Sequence, residues 1–421
     1  MSVGAASMTA KIDRRRVMIT PEGIALPVMV GSRGSRLGAL LLDLLFIVVL
    51  IAAAAVVAWG RNEFTKPGPL EASICLRVEQ GASMSGVSRN LEERGAVSDA
   101  RIFRIGADYS GRAGNLKFGS YLIRPGTSME EVLRVITAGG ASTCGKEVNF
   151  RIGVAAVEVV LRELDPATQK FVEVAKFDPA AEAPPEYVAA AAEPDLRYNV
   201  TVVEGATSWQ VVDGLRKAAF LEGEIAGIPP EGSLAPKAYE VAKGASRPEL
   251  LAKMGADQAA VLAELWPQRA ADLPYDTPEE AMVMASIVEK ETGIAEERAL
   301  VASVFVNRLN QGIRLQTDPT VIYGITKGEG VLGRGLRQSE LRRGTPYNTY
   351  VIDGLPPGPI ANPGREAIAA ALNPAQTDYL FFVAKTLNPA DGHVFAATLD
   401  EHNRNVEALR ALEKAAAGGG D

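Results

Sequence analysis

The sequence predicts an α+β protein: a single N-terminal transmembrane helix, then β-α-α-β modules, then a C-terminal mixed α/β domain. Three observations lead there. One apolar run near the start has the length of a bilayer span, a strand-to-helix corner recurs three times behind it, and the last third opens on a strongly capped helix followed by loops dense in Pro, Gly and polar residues. With 421 residues the chain is too long for one ordinary core, so several folded units in series are expected.

The run from Leu37 to Trp59 carries one charge, Asp43, and matches the ~20 residues that cross a bilayer as helix. Lys11, Arg14, Arg15, Arg16, Arg33 and Arg36 precede it against only Asp13 and Glu22, and Trp59 and Arg61 close it. A basic tail ahead of such a run stays in the cytoplasm, and residues from about 62 onward are exported. The alternative is a cleaved signal peptide, for which Ala52 to Ala55 offer small residues. The run exceeds the ~7–15 residues of a signal core, which favours the anchor. The expected layout is a basic cytoplasmic tail over 1–36, a transmembrane helix over 37–60 and an extracytoplasmic remainder at the plasma (inner) membrane.

Cys75 and Cys144, the only cysteines, both fall in the exported part, where they either pair or stay as two buried thiols. Two histidines and no CxxC exclude a His- or Cys-rich metal site, and no metal or cofactor is expected. A net charge of −7 argues against broad binding to nucleic-acid phosphates.

The recurring corner reads GASMSGV at 81–87, GTSMEEV at 126–132 and GATSWQVV at 205–212. In each, an apolar strand ends at glycine and a Ser or Thr caps the helix that follows. With helices to about Arg94 and around Ala100 to Ala107, and a strand at 118–123, residues 72–140 form a β-α-α-β unit with a trailing helix. The third corner starts a second such unit over 200–275. Between them lies an insert, 145–195, whose runs VAAVEVVLREL and KFVEVAKF flank Asp165-Pro166 as a hairpin. Its last part, PAAEAPPEYVAAAAEPD at 179–195, reads as a linker. The C-terminal domain covers 276–412, and 413–421 read as a disordered tail.

Thr277, Pro278 and Glu280 form a capping box with Pro at the first helical position, and the helix runs through AMVMASIVEKET to Gly293. Residues 281, 284, 285 and 288 make a buried stripe by the i, i+3, i+4, i+7 rule. Glu291, three residues past Val288, extends the edge of that stripe, whereas Glu289 points about 100° away. A carboxyl in apolar surroundings holds its proton to higher pH, as a general acid must. Phase alone favours Glu291 over Glu289 only mildly, and either is open to being a surface residue paired with Lys290 or Arg298. Downstream, LQTDPTVIYG (315–324), TPYNTY (345–350) and GLPPGPIANPG (354–364) have the make-up of loops that line a groove for a hydroxyl-rich ligand. Taken singly, Asp318 and Asn362 are equally read as turn residues before Pro319 and Pro363. His393 and His402 lack a nucleophile elbow to serve, and no Walker or Rossmann glycine pattern is present.

ASIVEKET, RLQTDPTVIYG, PYNTY and GLPPGPIANPG in this order and spacing resemble the endolytic murein transglycosylase family, over about residues 200–410. The anchor and the 72–140 unit also match that family's anchor and LysM-like module in order, with 200–275 as a second LysM-like unit and 276–412 as the catalytic domain. The resemblance places the catalytic carboxyl on Glu291 and implies glycan contacts at Gln316, Asp318, Tyr347, Asn348, Asn362 and Glu289.

It also implies the reaction: cleavage of the MurNAc-β-1,4-GlcNAc bond inside nascent peptidoglycan strands to 1,6-anhydroMurNAc ends, which terminates glycan elongation. Penicillin-binding glycan polymerases are implied as partners. Two alternatives compete. A muramidase-type hydrolase would need a second carboxylate, for which Asp318 is the candidate, about 5 to 9.5 Å from Glu291. A non-catalytic peptidoglycan-binding scaffold would leave Glu291 incidental.

Overall fold

The computed structural model describes residues 15–29, 32–140 and 142–418. Lys11, Asp13 and Arg14 of the basic tail, and residues 419–421, lie outside the described residues. The chain divides into two compact units, one running through Phe118 with Ile123–Gly139, the other comprising Gly119–Leu122 and everything from Gly140.

In the first unit, β1 (Arg15–Ile19) and β2 (Ala25–Met29) form an antiparallel hairpin, with Arg15 opposite Met29. Helix α1 (Arg33–Thr65) follows, capped by Ser32, whose hydroxyl accepts the Ser35 N–H. None of its described side chains is buried, and it is long and apolar enough to cross a membrane. Its 33 residues reach about 50 Å, beyond the ~30 Å of a hydrocarbon core. The far end packs within the unit: Phe64 lies against Gly106, where a Cβ would collide with the ring, and Ser98 donates to Glu63.

Then come β3 (Ile74–Val78), α2 (Met84–Glu93), α3 (Ala100–Tyr109), β4 (Gly119–Ile123, straddling the division) and α4 (Met129–Ala138), in the order read from the sequence. Ser83, Asp99 and Ser128 cap the three helices as N-cap side chains, Ser128 in a capping box with Glu131. Their apolar faces bury Val87, Leu91, Phe103, Leu133 and Ile136. Both cysteines are disulfide-bonded, so neither thiol is free.

The second unit begins with a five-stranded sheet. Strands β5 (Lys146–Ile152), β6 (Val157–Asp165) and β7 (Lys170–Phe177) precede α5 (Pro185–Ala191). Then follow β8 (Arg197–Val202), α6 (Ser208–Lys217), β9 (Ala238–Val241) and α7 (Arg247–Leu265). The order across the sheet is β7-β6-β5-β8-β9, antiparallel except for the parallel pair β5–β8. β6 and β7 form the expected hairpin, turned at Asp165, whose carboxylate accepts the Ala167 N–H. The insert is not a separate module: β5 is the central strand, and alternation puts Val148, Phe150 and Ile152 beside Tyr198, Val200 and Val202 in one core with Val211 and Leu215. Nor is 179–195 a loose linker, because Ala190 is fully buried and the Tyr187 ring meets Phe177 at 5.0 Å.

The rest of the unit is mostly helical: α8 (Pro278–Glu291), α9 (Arg298–Asn310), α10 (Asp318–Thr326), α11 (Gln338–Leu341) and α12 (Arg365–Leu372). The antiparallel ribbon of β10 (Phe381–Ala384) and β11 (His393–Ala396) leads into α13 (Leu399–Gly418). α13 carries helix to Gly418, through residues read from the sequence as an unstructured tail. α8 is its central rod, packed against α9, α10 and α12. Residues 281 to 288 are all buried, so its apolar character runs around the whole circumference and not along the single stripe expected.

Candidate active site

Glu291 is the last residue of α8, where Thr292 turns extended (φ −143°, ψ 133°) and closes the helix with its N–H on Val288 O at 3.3 Å. A carboxylate at a helix C-terminus faces unpaired carbonyls, which disfavour its charge. Burial pushes the Glu291 carboxyl up to about 6; the Thr317 hydroxyl works against that shift, the negative charge of Asp318 adds to it, and His393 opposes it.

Its direct partner is Thr317, whose hydroxyl donates to Glu291 Oε1. Thr317 stands at the corner into α10, after Gln316 in a left-handed conformation (φ 53°). That conformation costs a residue with a Cβ roughly 1–2 kcal/mol, and Gln316 is held in it from both ends. Its N–H donates to Thr349 O at 3.2 Å, and its side-chain carbonyl accepts from Arg308 Nη1 at 3.3 Å. Asp318, exposed in the first turn of α10, accepts the Tyr350 hydroxyl at 2.7 Å. Burial first, then Asp318 and Glu291, raise Tyr350, which keeps its proton and remains a donor. His393 on β11 is held by Glu297, which meets Nδ1 and accepts the backbone N–H, each at 2.7 Å.

Glu289 has a different task. Its Oε2 accepts the Gly364 N–H at 2.9 Å, and one turn earlier Ser286 Oγ accepts the Ile360 N–H at 3.0 Å. Two polar side chains of α8 thus hold the 354–364 loop along the helix. Burial raises Glu289 too, against the Gly364 hydrogen bond; Glu204 adds to the rise, and Arg298 and Lys290 oppose it. A raised carboxyl therefore does not by itself single out Glu291.

The two asparagines are buried in the fold. Asn348 is fully buried: its amide nitrogen donates to the carbonyls of Glu340, Leu341 and Arg343, and its oxygen accepts from Tyr350 N. Asn362, also fully buried, accepts from Leu234 N and donates to Ala206 O, both at 2.9 Å. At both positions the amide is engaged in hydrogen bonds that hold the loops. Gln316 and Asp318 are exposed, and Tyr347 is partly exposed, its ring 4.9 Å from Tyr323 and 5.5 Å from Lys327 Nζ. A cavity of about 860 Å³ between α7, the start of α8 and the 354–359 loop does not include Glu291, and the chemistry is not placed there.

The family model described as YceG-like matches residues 76–408, most of the chain and all of this site. The chain belongs to the YceG-like family. Among relatives, this YceG-like chain is 26% identical over 342 residues to a protein of Bacillus subtilis named endolytic murein transglycosylase, covering 80% of this chain and 84% of that one. It is 26% identical over 364 residues to a protein of the same name from Streptococcus pneumoniae, covering 79% of this chain and 58% of that one. A yceG-like protein of Listeria monocytogenes of known crystal structure aligns at a TM-score of 0.42 with 24% identity, over 80% of this chain and 99% of that one.

Reading the sequence missed Thr317, Tyr350 and the Glu297–His393 pair. Thr317 and Tyr350 stand inside the LQTDPTVIYG and TPYNTY motifs, one residue before Asp318 and two after Asn348, yet nothing in spacing separates a hydroxyl that meets Glu291 or Asp318 from one that only turns the chain. The Glu297–His393 bond joins residues 96 apart in sequence.

Proposed function

We propose that this protein is a membrane-anchored lytic transglycosylase of peptidoglycan, with Glu291 as its single acid and base. The observation that carries this reading is one carboxyl, desolvated at a helix end, hydrogen-bonded by Thr317 and raised to about 6. Such a group is protonated often enough near neutrality to give a proton and is basic enough, once ionised, to take one back.

In the proposed reaction Glu291 gives its proton to the glycosidic oxygen, the bond from that oxygen to the muramyl C1 breaks, and positive charge develops at C1. The 6-hydroxyl oxygen of the same sugar then bonds to C1, and its proton passes to the Glu291 carboxylate. The enzyme ends as it began and no water is consumed. The hydroxyl of Tyr350, which donates to Asp318, orients that carboxyl, and the exposure of Gln316 and Asp318 and the partial exposure of Tyr347 support all three as contacts to the glycan. Glu289, Asn348 and Asn362 act through the loops they hold.

The hydrolase reading differs in one product. Full-length protein in detergent, given purified glycan strands, should yield 1,6-anhydro ends; reducing ends would favour the muramidase. E291Q should cut either by about 100-fold or more; a variant that cleaves at the full rate removes Glu291 from the mechanism, and unaltered protein that binds strands without cleaving them would be a binding scaffold.

α1 supports a single-pass anchor, with Arg33 and Arg36 on the cytoplasmic side. The β3-α2-α3-β4 order supports a LysM-like module. A cavity of about 470 Å³, bounded by the 78–84 and 113–118 segments of the first unit and edged by the exposed Phe118, is a place where such a module would take sugar. An anchored enzyme would act on strands close to the bilayer, beside the polymerases that make them.

A further inference from the structure

Thr317 is 2% exposed, and its hydroxyl has Glu291 Oε1 as its acceptor. It cannot swing away cheaply. Its N–H donates to Thr349 Oγ1 at 3.0 Å, its carbonyl accepts from Thr320 Oγ1 at 2.8 Å, and the Thr320 and Thr349 hydroxyls meet at 2.9 Å. Thr320 and Thr349 are themselves fully buried. The paired hydroxyls of Thr320 and Thr349 thus clamp the Thr317 backbone, while the Thr317 hydroxyl is directed at Glu291.

We propose that Thr317 is a positioning residue that pins Glu291 through Oε1, so that Oε2 alone exchanges the proton with substrate in both halves of the reaction. The inference rests on the transglycosylase reading above. Pinning one oxygen fixes the carboxyl plane, so the oxygen that protonates the leaving group is the one left to deprotonate the 6-hydroxyl, with no rotation between steps. A free carboxyl would sample both oxygens and several planes, and a reacting geometry lost by about 1 Å costs on the order of 100-fold. The hydroxyl also favours the ionised form, so Thr317 opposes burial and keeps the group capable of both roles.

The other groups facing Glu291 are Asp318 from α10, Tyr350 from the 345–353 loop and His393 from β11, itself bound to Glu297. All remain in a Thr317 variant. In T317V, kcat should fall roughly 10- to 100-fold with KM little changed. The alkaline limb of the kcat/KM profile should move up by about one pH unit, the size of a hydrogen bond to a charged group. T317S should return both the limb and most of kcat, which a purely structural role does not require.

An unmoved limb in folded T317V, or a T317S as impaired as T317V, overturns the proposal. If T317V fails to fold, the titration of ¹³C-labelled Glu291 in T317A against T317S decides, with a higher midpoint in T317A expected and equal midpoints contradicting. Failure of the parent reading is separable: reducing ends from the unaltered protein would remove the transglycosylase step while leaving the limb shift to report on Thr317.

Discussion

Glu291 and Glu289 lie two residues apart, both carboxyls raised by burial, and their partners separate them. Glu289 receives a backbone N–H that anchors a loop, while Glu291 receives a side-chain hydroxyl at the end of the helix. Helical phase pointed to Glu291, but on a single buried stripe, whereas residues 281 to 288 of α8 are all buried. E291Q should lower glycan cleavage by about 10²- to 10⁴-fold, the usual worth of a general acid–base, with the far-UV spectrum unchanged. The same substitution tests the titration. Glu291 rises from 4.5 to about 6 on folding. The stability linked to its protonated form is therefore full below about pH 4 and lost as pH climbs through about 6. E291Q should then be more stable than the unaltered protein at pH 8 by about 1–2 kcal/mol and no different at pH 4, as read by urea melts; equal shifts at both pH values would mean the carboxyl does not titrate as described.

At the scale of elements, local signals carried well. The Thr277 box starts α8, glycine and a capping hydroxyl start α2, α4 and α6, and the β6–β7 hairpin turns where Asp165-Pro166 stands. Long-range pairing did not carry. β5 sits parallel to β8 about fifty residues later, which turns a presumed insert into the middle of the sheet; alternation is the same whichever neighbour a strand finds. The burial of the two asparagines was illegible for a related reason, because a buried amide and an exposed one look alike in a Pro-rich motif. Asn362 bridges the 354–364 loop to the corner between β8 and α6. N362A should cost about 1–3 kcal/mol from unsatisfied buried backbone groups, with activity falling in step with the folded fraction. Lost activity in a protein of unchanged stability would instead argue for direct contact with substrate.

At the scale of the whole molecule, a helix long enough to cross a membrane precedes the glycan-cleaving domain in one chain. Deleting residues through Thr65 should move the protein from the membrane to the soluble fraction while leaving the rate on purified strands within a few-fold; a truncated protein that still sediments with membranes would place the anchor elsewhere. The chemistry itself is tested most directly by digesting purified glycan strands with the full-length protein in water enriched in ¹⁸O and weighing the new ends. Intramolecular closure by the 6-hydroxyl predicts ends one water lighter than reducing ends and free of ¹⁸O, absent with E291Q; ¹⁸O-bearing reducing ends would contradict it and make the protein a hydrolase.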